Sequence, residues 1–219
     1  MISKKLRILR QKSPDSKPYW EDFDYTEADD GATVASALST LPIRWDNSCL
    51  QKKCGACAMV VNSRPVLACD TFLKDIKGAV VTIEPLKKFP VIEDLMVDRA
   101  VMMDNLKELS VWLRNDAASG KEETAYLASR CLQCGLCLEV CPNFYSEGRF
   151  KGMAGAAPLS RLISQSAGSD AADILSSYRK GIYSGCAKSL ACKNVCPAGV
   201  EPDDLLVKSN VAAVFGRWK

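Results

Sequence analysis

The sequence predicts an α+β chain in two unlike parts, a small mixed β-sheet followed by a mostly helical region. Three observations predict it. Short runs that alternate polar and apolar residues or are rich in β-branched ones recur up to Glu84, as strands require. From Val91 onward the apolar residues recur at three and four, the period of a helix. The eleven cysteines fall into a group at 49–69 and a group at 131–196, one in each part.

In chain order, KKLRILRQ (4–11) alternates and reads as a half-exposed strand. Tyr19 to Tyr25 reads as a second, with Trp20, Phe23 and Tyr25 as its aromatics. Thr33 caps a short helix carrying the stripe Val34, Ala37, Leu38 and Leu41, and Pro42 stops it. Ala58–Val61 and Pro65–Ala68 form a hairpin around Asn62–Arg64, and VVTIE (80–84) is a further strand. The character changes around Pro85–Pro90, which sets the expected domains at 1–88 and 89–219. Val91–Leu113 is then expected to be helical, on the spacing of Leu95, Val97, Ala100, Val101, Leu106, Leu109 and Trp112. Asn115–Glu123 is a polar connection, and Thr124–Ser129 a short helix. Two helical stretches fill 158–179, the first opening at Pro158, and Glu201–Phe215 is the last helix. Trp20, Trp45 and Trp112 are expected in the core, Met96, Met102 and Met103 as core or interface filler, and Trp218 is a candidate docking residue.

The cysteine spacing carries the chemistry. CLQCGLCLEVCP (131–142) is a C-x2-C-x2-C-x3-C-P run, as in two-cluster bacterial ferredoxins, where the fourth cysteine ligates the other cluster. CAKSLACKNVCP (186–197) repeats the run with Ser189 in the second place. A cross-over follows: Cys131, Cys134, Cys137 and Cys196 make a 4Fe-4S site, and Cys141, Cys186 and Cys192 a three-thiolate site. A cuboid cluster with one unligated corner tends to lose that iron, and serine oxygen is a harder, poorer ligand than thiolate, so the second site is expected to hold 3Fe-4S. Exchanging the fourth ligand staples the two halves of the helical part together, so cluster binding is folding energy and the apo form is expected to fold poorly. In SCLQKKCGACAMVV, Cys49, Cys54 and Cys57 have the plant-type C-x4-C-x2-C spacing, completed by Cys69. That reads as a 2Fe-2S site, with Gly55 letting a backbone amide approach sulfide.

Composition narrows the function. There is no histidine, so the usual acid–base group and haem or catalytic-zinc ligand is missing. A net charge of +3 with no basic block argues against nucleic acid as a partner. No run of eighteen apolar residues offers a membrane span, and MISKKLRILRQK lacks the apolar stretch of a signal peptide. A cytoplasmic protein, or one on the cytoplasmic face of a membrane, is expected. Eleven cysteines there point to metal rather than disulfides, and zinc sites pair their ligands in a pattern these runs do not have.

With these motifs the chain resembles the iron–sulfur subunit of succinate dehydrogenases and fumarate reductases. The resemblance rests on the set at 49, 54, 57 and 69, the segment FPVIEDLMVDRAVMMDNLKEL at 89–109, and both later runs with a non-cysteine at 189. It implies a β-grasp, plant-type ferredoxin-like domain followed by an α-helical two-cluster ferredoxin domain. It implies electron transfer through 2Fe-2S, 4Fe-4S and 3Fe-4S clusters, in that order, between an FAD flavoprotein and a quinone-reactive membrane anchor. No substrate chemistry falls on this chain, and no catalytic residue is expected. Ala187 stands where membrane-bound members often carry a histidine, and Phe144 and Tyr145 where a tryptophan is common. The alternative is therefore a related reductase with a non-quinone partner, such as a thiol, or an atypical anchor.

Overall fold

The computed structural model describes residues 2–114, 122–166 and 168–216. Packing divides the chain into two compact units, Met1–Arg99 and Ala100–Lys219.

The first unit is built on a five-stranded mixed sheet. β1 (Ile2–Arg10) pairs antiparallel with β2 (Tyr19–Glu27), in a register running from Ile2 opposite Glu27 to Arg10 opposite Tyr19. α1 (Val34–Ser39) follows, then the hairpin of β3 (Ala58–Val61) and β4 (Arg64–Leu67). β5 (Val80–Glu84) slots between them, parallel to β1 with Lys5 opposite Val80 and antiparallel to β3. The strand order is β2-β1-β5-β3-β4. The alternation read in β1 is real, and β5 alternates in the same way: Leu6, Ile8, Val81 and Ile83 face one core and are fully buried, with Leu38 of α1 and Leu73. Burying each such side chain stabilises by roughly 1.5–3 kcal/mol. Thr33 does cap α1, through a capping box: Thr33 Oγ1 accepts from Ser36 N at 3.1 Å and Ser36 Oγ from Thr33 N at 2.7 Å.

The segment after Pro90 departs from the helical expectation. It forms a small hairpin, β6 (Val91–Glu93) and β7 (Met96–Val97), that belongs to the first unit. Asp94 causes this. It sits in the turn at φ +50°, with its side chain 2 % exposed. Its carboxylate accepts from Arg10 Nε at 3.0 Å and Nη2 at 2.9 Å, and from the amides of Arg44 at 3.1 Å and Gln11 at 3.3 Å. Burial opposes its charge, but these donors hold the carboxyl below its ordinary value.

The second unit is helical. α2 (Ala100–Glu108) and α3 (Glu122–Ser129) precede α4 (Leu136–Glu139), a single turn inside the central cysteine run. α5 (Gly152–Gln165) is the hub, against which α2, α3, α4, α6 (Gly168–Tyr178) and α7 (Pro202–Phe215) pack. The small residues Gly155, Ala156 and Ala157 permit this close approach; a Cβ on Gly155 would lie 2.8 Å from Leu109 Cδ1. Two polar pairs lie within this helical packing. Ser209 Oγ donates to Ser160 Oγ at 2.8 Å, and the Tyr178 hydroxyl to Asn210 Oδ1 at 2.9 Å.

Pro158 does not open a helix, as expected from sequence, but lies inside α5. Proline cannot donate to the carbonyl four residues back, that of Ala154. The Gln133 side chain does so instead, Nε2 reaching Ala154 O at 3.0 Å. The tryptophan expectation holds only for Trp45, at 8 % exposure; Trp20 and Trp112 are 47 % and 52 % exposed. Of the methionines, Met102 is buried and Met103 exposed. Trp218 and most of the 115–123 connection lie outside the described residues.

Candidate metal centres

The first unit gathers Cys49, Cys54, Cys57 and Cys69 on a loop and the hairpin that follows it. Cys57 immediately precedes β3, and Cys69 lies in a 3-10 turn (Ala68–Asp70) after β4, so the β3–β4 pairing sets them face to face. Their sulfurs are 3.4 Å apart. The loop coils so that its amides point at sulfur. Gln51 N (3.3 Å) and Lys53 N (3.4 Å) donate to Cys49 Sγ, Lys52 N to Cys69 Sγ (3.3 Å), and Ala56 N to Cys54 Sγ (3.5 Å). Left-handed backbone at Leu50, Lys52 and Gly55 makes the inward turn possible. The Gln51 amide, with the Cys54 thiol and the Lys53 amide, draws the Cys49 thiol down to about 7, whereas burial pushes Cys57 up to about 11. Outside the sulfur cage, the Arg99 guanidinium donates to the carbonyls of Gly55 (3.3 Å), Ala56 (2.7 Å) and Ala58 (3.4 Å) and lies 3.5 Å from the Asp46 carboxylate.

The second unit sorts its cysteines around two cavities. Cys131, Cys134, Cys137 and Cys196 line the first. Cys141, Cys186 and Cys192 line the second, together with Ser189, Ala187 and Lys188. Cys137 and Cys192 border both. Two backbone features place them. Gly135, at φ +86°, starts α4, which carries Cys137 on its single turn and delivers Cys141 just beyond its end. Lys188 and Leu190, at φ +57° and +55°, bend the last run so that Ser189 lies at the rim of the second cavity. Asn143 Nδ2 donates to Gly185 O at 2.8 Å and braces the central run against the later one.

Burial dominates the acidity of these thiols. It pushes Cys134 and Cys192 up to about 11 and raises Cys131 and, most of all, Cys137. Val200 N donates to Cys196 Sγ at 3.3 Å, and Gln133 Nε2 is 3.4 Å from Cys131 Sγ. The set fits iron–sulfur clusters: several thiols face one apolar space, amide donors are aimed at sulfur, and multiple irons would supply the positive charge that makes buried thiolates tenable. Among the described residues no three cysteine, histidine or acidic side chains converge as one mononuclear ion requires. The sulfurs rim a space instead.

Sequence reasoning missed Arg99, Gln133 and Asn143. Pro158 was the available signal for Gln133, since a proline within a helix frees a carbonyl that some donor must take. For Arg99 and Asn143 there was no local signal. Arg130, next to Cys131 in the chain, is exposed, and its guanidinium closely approaches Gly199, where a Cβ would meet it at 3.0 Å.

Comparison with known proteins agrees with this arrangement. A family model described as a 2Fe-2S iron-sulfur cluster binding domain matches residues 5–104, and one described as a 4Fe-4S dicluster domain matches residues 127–200. The succinate dehydrogenase iron-sulfur subunit of Bacillus subtilis is 32 % identical over 88 % of this chain and 85 % of its own. The chain belongs to the succinate dehydrogenase and fumarate reductase iron–sulfur subunit family. The fumarate reductase iron-sulfur subunit of Mycobacterium tuberculosis is 33 % identical, over 80 % of this chain and 74 % of its own. A solved structure, the Mycobacterium smegmatis Sdh1 complex in the apo form, shares the fold, with a TM-score of 0.80 at 22 % identity over 98 % of this chain and 96 % of that one. The family member is thus a β-grasp 2Fe-2S domain followed by a helical dicluster domain, an electron-transfer subunit of oxidoreductase type.

Proposed function

We propose that this chain relays electrons between an FAD-containing flavoprotein and a quinone-reactive membrane anchor, using 2Fe-2S, 4Fe-4S and 3Fe-4S clusters in that order. In this reading Cys49, Cys54, Cys57 and Cys69 hold 2Fe-2S, Cys131, Cys134, Cys137 and Cys196 hold 4Fe-4S, and Cys141, Cys186 and Cys192 hold 3Fe-4S. One observation carries it: Cys196 shares a cavity with the first three cysteines of the central run, while Cys141 shares the other with Cys186, Cys192 and a serine. Bound clusters supply one-electron storage at potentials set by cluster type, hydrogen bonds to sulfur and burial. The chain's own part is to hold sulfur, aim amides at it and exclude water.

Ser189 supports the 3Fe-4S assignment, because a hydroxyl replaces the thiolate that would secure a fourth iron there. Among the described residues no helix is long and apolar enough to cross a membrane. Attachment to the cytoplasmic face would then run through the anchor subunit. The test is anaerobic purification of the complex from its host, with iron and acid-labile sulfide analysis, low-temperature EPR and identification of co-purifying subunits. The expected result is three clusters with a 3Fe-4S signal in the oxidised state and a flavoprotein and anchor in the same peak. Bound zinc, or a folded metal-free chain, refutes the reading.

A further inference from the structure

We infer that Arg99 is a positioning residue for the first metal centre: its guanidinium, clamping the carbonyls of the Cys54–Ala58 loop, turns the amides of that loop toward sulfur. The inference rests on the 2Fe-2S reading of Cys49, Cys54, Cys57 and Cys69 given above.

The geometry begins with the peptide unit. A trans peptide points its C=O and N–H in opposite directions, and the described backbone contains no cis bond. The carbonyl of Gly55 belongs to the peptide that carries the Ala56 N–H, and the carbonyl of Ala56 to the peptide that carries the Cys57 N–H. Arg99 holds the first at 3.3 Å and the second at 2.7 Å. The Ala56 N–H accordingly faces the other way, to Cys54 Sγ at 3.5 Å. The Cys57 N–H is turned inward by the same rule. Gly55, at φ +74°, is the pivot that permits the orientation, and Arg99 is what holds it. Nη2 also reaches Ala58 O at 3.4 Å, beyond Cys57, so the fork spans the whole C-x2-C segment.

Only arginine suits the task. One planar guanidinium serves three carbonyls from a rigid fork, and a lysine ammonium lacks that fork. Asp46 Oδ2 lies 3.5 Å from Nη2, the nitrogen that also serves Ala56 and Ala58, and adds an ion pair to the guanidinium. These hydrogen bonds of Arg99 go to backbone carbonyls and its ion pair to Asp46, not to sulfur. Its effect passes through backbone amides, whose bonds to sulfur stabilise the more negative, reduced cluster and raise its potential.

The test is an EPR-monitored redox titration of the 2Fe-2S signal in the assembled complex, comparing wild type, Arg99→Lys, Arg99→Gln and Asp46→Asn. Hyperfine coupling of exchangeable amide deuterons near the cluster is measured in parallel. Arg99→Lys keeps the charge and loses the fork, so its potential is expected to fall, with weakened deuteron coupling. Asp46→Asn is expected to shift less, in the same direction. A wild-type potential and coupling in Arg99→Lys overturn the inference while leaving the cluster assignment intact. A fall in Arg99→Gln alone also overturns it, since charge would then be the whole effect. Should Arg99 variants lose the cluster, Asp46→Asn decides: a lowered potential supports the inference and an unchanged one overturns it. Absence of 2Fe-2S from the wild-type complex refutes the inference and the reading beneath it together.

Discussion

Gly152→Ala tests how tightly the helical unit is built around its two cavities. Gly152 opens α5 at φ +63° and lines the second cavity. A Cβ there would lie 2.2 Å from Leu138 Cδ2, and Leu138 is itself 1 % exposed, with little free volume into which to swing. Two costs add. The left-handed backbone costs a non-glycine residue about 1–2 kcal/mol. Overpacking a closed core costs about 1–3 kcal/mol more. The sum is roughly 2–5 kcal/mol, a large share of a typical domain's stability. Leu138 lies on α4 between Cys137, which borders both cavities, and Cys141, which lines the second. Displacing it should therefore disturb the sulfurs as well as the fold. The assay is urea unfolding of the cluster-loaded protein, followed by far-UV circular dichroism and by visible absorbance of the clusters. Gly216→Ala is the control: Gly216 has φ +70° with nothing within 4 Å of its Cβ position, so only the backbone cost applies. If Gly152→Ala costs no more than Gly216→Ala and leaves cluster absorbance unchanged, the close-packing argument is wrong.

Four further outcomes are expected. Ser189→Cys should convert the 3Fe-4S centre to a 4Fe-4S one, read as loss of the oxidised 3Fe-4S EPR signal; persistence of that signal would show that backbone shape, not ligand count, decides cluster type. Gln133→Leu should orphan Ala154 O beside Pro158 and cost about 1–3 kcal/mol, checked by urea unfolding, while also shifting the EPR spectrum of the 4Fe-4S centre. Asp94→Ala removes the buried partner of Arg10, which keeps Glu21 at 2.7 Å, and should cost the first unit about 1–3 kcal/mol. Because the Asp94 carboxyl is held below its ordinary value, its contribution is full above the unfolded pKa, near 4, and is lost as pH falls through the folded value; the wild-type advantage over Asp94→Ala should shrink there in unfolding titrations. Oxidative removal of the clusters, followed by chelation of iron, should strip helical circular dichroism from the second unit, since the sulfurs around both cavities lose what holds them; an unchanged spectrum counts against this.

Much of the first unit was legible because alternation and turn chemistry agree there. β5 was read residue for residue, and the β3–β4 hairpin around Asn62 and Ser63 nearly so, both turn residues adopting the left-handed backbone. Residues 91–97 failed because a short apolar run fits either period, and the deciding interaction is Asp94 with Arg10, far apart in sequence. Pro158 was misplaced because its helix tolerates it only through Gln133, on another element. The exposed Trp20 and Trp112 show that aromatic identity alone does not report burial. Cysteine spacing is legible in the sequence because ligand geometry acts on short loops. What spacing could not reveal was the carbonyl side of those loops, where Arg99 sits.

The placement of β5 has a consequence for biogenesis. It is the strand that bridges β1 to the β3–β4 hairpin, yet it is made last of the five. A nascent chain exposing Cys49 through Cys69 therefore carries all four thiols before the sheet behind them can close. Such non-local pairing is slow. Through that interval the four thiols sit on a loop with no closed sheet behind it, and are the more open to oxidation.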